Sequence, residues 1–158
     1  MPSVELPLYR QIAVDAFNQT WRLLEKSGRS AEEDLAMIHM AHASRYHWGL
    51  VGQPVHWARG EWQISRVYAA LERGEPAMFH ARRCLEYAEK NDLSTFDKAA
   101  AHEALVRAYR VACHFDLARR HYDQAWSTAK GITEPEDRAV IFADLREHAE
   151  VLGIPFPE

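Results

Sequence analysis

Nine histidines in 158 residues put metal and acid–base chemistry first. His39 and His42 stand three apart, which on a helix places them on one face, with Glu33 and Tyr46 to either side. Imidazole nitrogens suit transition metals, and a carboxylate from a facing helix, such as Glu61, could complete a set with His39, His42 and His47. Against this, His39, His80 and His121 recur at a constant step of 41 residues. Equivalent positions of a helical repeat lie about one helix-pair spacing apart, far beyond a metal–nitrogen bond of roughly 2 Å. These histidines are therefore expected at a recurrent, partly exposed position, and no metal or cofactor is expected.

Nucleophile elbows, phosphate-cradling glycine loops and dinucleotide fingerprints are missing from the sequence. Glu32, Glu33 and Asp34 cluster in an expected first helical turn, where favouring the positive helix end is reason enough for them. His102 and Glu103 are adjacent on an expected helix and point in different directions. The expectation is a protein that is not an enzyme. A small helical enzyme or metal-binding protein using His39, His42, His47 and Glu61 is the alternative.

The densest chemistry is the stretch SRYHWGLVGQPVHWARGEW, residues 44–62, with three tryptophans, two histidines and two arginines. It reads as the end of one helix, a stop at Gly49, and a restart at Pro54. Tyr46, Trp48 and Trp57 are expected to wall off the joint between the two helices with their polar tips at the surface. A ligand-facing role for the same residues stays open.

The elements that must position these groups are helical. Seven glycines and seven prolines separate long segments of helical period, and no segment alternates long enough for a sheet. Ser30–Glu33, Ser94–Asp97 and Thr133–Glu136 each set an oxygen-bearing cap three residues before an acid. Pro54 and Pro76 fall in first turns, and Gly28, Gly49, Gly74, Gly131 and Gly153 fall where helices should stop. The pattern predicts seven helices near 5–27, 31–49, 54–73, 76–91, 95–112, 115–130 and 134–151. The fold class is all-α, in one domain spanning 1–158.

A net charge of −4 offers no global attraction for nucleic acid or an anionic membrane. No apolar run approaches the roughly 20 residues that span a bilayer, and the stretch MPSVELPLYRQ lacks the pattern of a secretory leader. Cys84 and Cys113, at no metal-like spacing, are expected to be buried thiols in a reducing cytoplasm.

The step of 41 extends beyond histidine. Leu105, Tyr109, Ala118, Tyr122 and Ala125 correspond to Ile64, Tyr68, Ala77, Ala81 and Cys84, and then to Leu23, Ser27, Ala36, Met40 and Ala43; Trp21 and Trp62 share the step. Small residues at such places let the two helices of a hairpin approach at the close end of 8–10 Å. The offsets in the third copy, with Phe115, resemble the tetratricopeptide repeat. The second copy is a degraded version and the first is weaker still, with a serine for the tyrosine. The resemblance implies a right-handed stack of antiparallel helical hairpins, with repeats at roughly 14–50, 55–91 and 96–132. A helix at 134–151 would seal the last repeat.

By that resemblance, A-helix positions facing the concave groove are Asn18, Trp21 and Glu25, then Arg59, Trp62 and Arg66, then Glu103, Arg107 and Arg110. Arg59, Arg66, Arg107 and Arg110 would meet Trp21 and Trp62 on one face. The function this implies is a cytoplasmic protein- or peptide-binding scaffold whose partner is acidic or carboxylate-ended, gripped by planar guanidinium groups. Another copy of the chain, or the C-terminal segment GIPFPE of a neighbour, is a further candidate occupant.

Overall fold

A computed structural model describes residues 5–157, which form seven α-helices and no strand: α1 (Leu6–Glu25), α2 (Ala31–Val51), α3 (Pro54–Ala70), α4 (Gly74–Lys90), α5 (Thr95–Val111), α6 (Phe115–Ala129) and α7 (Pro135–Leu152). Each lies within three residues of its expected bounds. The start of the stretch read for a leader, and the terminal carboxylate of Glu158, lie outside the described residues.

Two of the expected caps form. Ser30 Oγ accepts from the Glu33 N–H at 3.2 Å while the Glu33 carboxylate accepts from the Ser30 N–H at 2.9 Å, closing a reciprocal box. Ser94 Oγ accepts from the Asp97 N–H at 3.1 Å. Thr133 does not cap α7: Glu134 holds that place without a side-chain bond, ahead of Pro135.

Glycine accounts for fewer helix ends than the sequence implied. Gly28 and Gly153 are left-handed, at φ +68° and +66°, but α2 runs through Gly49 to Val51 and Gly74 opens α4. A Cβ on Gly74 would stand 2.8 Å from Ala112 Cα and Cβ, so its role is the close approach of α4 to the end of α5. The stops after α3, α4 and α5 use left-handed Glu72, Asp92 and Cys113, at φ 58°, 44° and 60°. In each, the next N–H (Arg73, Leu93, His114) returns to a carbonyl five residues back, at 2.8, 3.0 and 2.8 Å. This satisfies the orphan carbonyls that end a helix. Cys113 is accordingly exposed in a turn; Cys84 is buried as expected.

Consecutive helices pack on one another. The closest pairs are α1 on α2, α3 on α4 and α5 on α6, and the odd-numbered helices α1, α3, α5 and α7 also touch in series. The small-residue positions hold in two pairs: Ala77, Ala81, Cys84, Ala118 and Ala125 are all buried. In α2 they do not. Ala36 is exposed, while Met37, Ala41 and Ser44 are buried, so the step to α4 is 40 there. His39 moves with that shift to an exposed position and is not the counterpart of His80.

The larger apolar cluster gathers Leu105, Val106, Tyr109, Tyr122, Ile141 and Leu145; a second joins Met37, Ala41, Ile64 and Val67. Burying each of the larger side chains contributes about 1.5–3 kcal/mol. The segment GIPFPE packs on α6 and α7: the Phe156 ring lies 5.3 Å from Trp126, with Arg146 over it at 5.0 Å. Residues 44–62 are indeed a helix joint. Trp48 is buried and stacks on His56 at 4.1 Å, and the Trp57 indole N–H donates to the Trp48 carbonyl at 3.0 Å. Tyr46, 65% exposed, takes no part in it. No helix among the described residues is long and apolar enough to cross a membrane.

Candidate functional site

The odd-numbered helices line a cleft of about 550 Å³. α1 gives Phe17 and Trp21; α3 gives Ala58, Arg59, Trp62 and Arg66; α5 gives Phe96, Asp97, Ala100 and Glu103; α7 closes it with Asp137, Val140, Ile141 and Asp144. The small side chains Ala58, Cys84 and Ala100 leave the space that the aromatic rings border. Trp21 and Trp62, whose ring centroids are 5.4 Å apart at 45°, bring α1 and α3 together. A second, smaller cleft of about 330 Å³ adjoins it, lined by Trp21, Glu25, Arg66, Arg107, Arg110 and Glu147 among others. Trp21 and Arg66 border both. Asn18 lines a third, of about 170 Å³, beside Arg59.

The four arginines do gather here, but not as free cations. Arg59 grips Asp97 through two bonds, at 2.9 and 3.3 Å. Arg66 lies 3.6 Å from Asp144 and Arg107 donates to Glu103 at 2.6 Å. Arg110 meets Glu147 at 3.7 Å and donates to His148 Nδ1. Since guanidinium can only donate, His148 Nδ1 accepts, and its Nε2–H donates to Glu103 at 2.7 Å. Glu103 and His148 are 1% and 0% exposed, so this is a buried polar hub between α5 and α7.

The hub perturbs its members in opposite directions. Burial alone would raise the Glu103 carboxyl, but Arg107 and the hydrogen bond from His148 outweigh it and hold the carboxyl well below the usual range. Asp144 is raised, by burial and by the Glu103 charge. Burial would likewise lower Arg107, yet Glu103 and Asp144 raise it, whereas burial keeps Arg110 below its ordinary value. Arg107 and Arg110 therefore support the fold as well as facing the second cleft. The sequence had placed them on an open surface.

The histidine set of the alternative reading is dispersed. His39 is exposed, His47 bonds the Ala43 carbonyl, and His42 bonds the Tyr68 hydroxyl at 2.9 Å. Glu61 is shared between Arg45 at 3.2 Å and His80 at 2.6 Å. Among the described residues no group of three His, Cys, Asp or Glu side chains stands where it could hold a metal ion. A separate pair joins α5 to α6: His102 Nδ1 and His121 Nδ1 are 3.2 Å apart. Burial and the neighbouring His102 push His121 down to about 4.

No protein-family model, curated protein or solved structure matches the chain. The site therefore has to be read from its own residues. Phe17, Phe96, Asp97, Val140 and Ile141 were missed by the sequence reading, which followed one stripe per helix. The α7 contribution left a signal: the same 41-residue step from Glu103 and Arg107 lands on Asp144 and His148.

Proposed function

We propose that this chain is a binding module built as a tetratricopeptide-like stack of helical hairpins, taking a protein or peptide segment in the cleft between the odd-numbered helices. The observation that carries the reading is the aromatic pair Trp21–Trp62, beside Phe17 and Phe96, over about 550 Å³ of space. That is the size and lining of a ligand pocket, mostly apolar with a few placed charges. An aromatic-lined recess is also where interface energy concentrates. Binding is favoured over catalysis because the charged groups around the two clefts, Asp137 apart, are engaged with one another, at distances from 2.6 to 3.7 Å. The expected preference for an acidic partner loses its support for the same reason: an anion would have to displace Asp97, Asp144, Glu103 or Glu147. Two cysteines left free, one of them buried, agree with a reducing compartment such as the cytoplasm.

A peptide library selected against the purified protein tests this. Binders should carry an apolar or aromatic anchor, and Trp62→Ala should cost about 2 kcal/mol or more of their affinity while leaving the helical signal intact. Phe79→Ala, at an exposed site on α4, serves as the control. Binders indifferent to Trp62→Ala overturn the reading.

A further inference from the structure

We propose that the anchor this cleft selects is cationic: an ammonium or guanidinium borne beside an aromatic or aliphatic body, as in a basic segment of a partner protein. The inference rests on the cleft being the binding site and specifies what fills it. Four carboxylates line the cleft, on Asp97, Glu103, Asp137 and Asp144, against the two guanidiniums of Arg59 and Arg66. Arg107, behind Glu103, neutralises a third carboxylate. Asp137 remains, exposed and without an ion-pair partner among the described residues.

The aromatic walls show the same preference. The Arg66 guanidinium stands over both rings, 5.3 Å from the Trp21 centroid and 5.5 Å from that of Trp62. Indole faces attract cations through their quadrupole, most strongly where water is excluded. The cleft thus already holds one guanidinium in the manner that a ligand's cation would be held beside it. An approaching cation also meets a chain of net charge −4, which favours encounter with basic partners.

Three probes share an indole body and differ in charge: tryptamine (cation), 3-ethylindole (neutral) and indole-3-propionate (anion). Titration calorimetry on the full chain should find tryptamine bound at least about tenfold more tightly than indole-3-propionate, the scale of one charge-assisted contact. Added salt and Asp137→Asn should each shrink that ratio, the salt by screening. Arg66→Met, by removing a like charge, should strengthen tryptamine. Trp62→Ala should weaken all three. Equal binding of the three, or tighter binding of indole-3-propionate, overturns the cation proposal while the cleft remains a binding site. Failure of all three to bind, or binding untouched by Trp62→Ala, overturns the cleft reading and this proposal together.

Discussion

Replacing Glu103 with leucine tests whether the hub between α5 and α7 supports the fold. The carboxylate, 1% exposed, accepts from Arg107 at 2.6 Å and from His148 at 2.7 Å. Each charge-assisted bond contributes about 1.5–3 kcal/mol, and breaking a buried pair from one side costs about 3–5 kcal/mol because the partner charge is stranded. The Nε atoms of Arg107 and Arg110 already lack an acceptor among the described residues, and the carboxylate left beside the released Arg107 guanidinium is Asp144, at 3.6 Å, beyond direct hydrogen-bond distance. We expect a loss of about 3–5 kcal/mol for Glu103→Leu and about half of that for Glu103→Gln, which keeps one acceptor. With urea slopes of about 1–3 kcal/mol/M, the midpoint followed by circular dichroism should fall by at least about 1 M. The pH dependence follows from the lowered Glu103 carboxyl. Its stabilisation is fully present above the unfolded value near 4.3 and is lost as pH falls towards the folded one, so Glu103→Leu should flatten the acid side of the stability curve. A loss below about 0.5 kcal/mol, the range of ordinary surface changes, refutes the reasoning.

Gly74→Ala should destabilise by about 1–3 kcal/mol, read as a lower urea midpoint, because its Cβ would meet Ala112 at 2.8 Å. His121 should titrate near pH 4 in an NMR titration, against 6.5 when unfolded. The unfolded chain then takes up a proton in that window which the native state refuses, so this contribution is full above pH 6.5 and lost as pH falls to 4. In His121→Gln that dependence should diminish.

The helices were legible because caps and apolar periodicity are local: Ser30 and Ser94 announce α2 and α5 within four residues. The left-handed stops at Glu72, Asp92 and Cys113 were not, since Glu and Cys rarely take that backbone and a single Asp, which takes it more readily, is no signal alone. The step of 41 found one side of the cleft correctly, bringing Trp21 and Trp62 to 5.4 Å. It misjudged α2, where a one-residue shift buries Met37 instead of Ala36. The charge of the cleft was misread because arginines announce themselves in a sequence while their partners, Asp97 at 38 positions from Arg59 and His148 at 38 from Arg110, are fixed only by folding.

The place of α7 at the end of the series has a consequence for exchange. It packs on α5 and α6, carries no further helix on its outer side among the described residues, and forms the last wall of the cleft. Native chains open first where fewest elements hold them, so the opening that costs least is also the one that empties the cleft. A ligand that touches Asp137 or Asp144 would slow that opening, and amide hydrogens of α7 would gain protection ahead of those in α2 or α4. Occupancy would then be written into the exchange rates of the terminal helix.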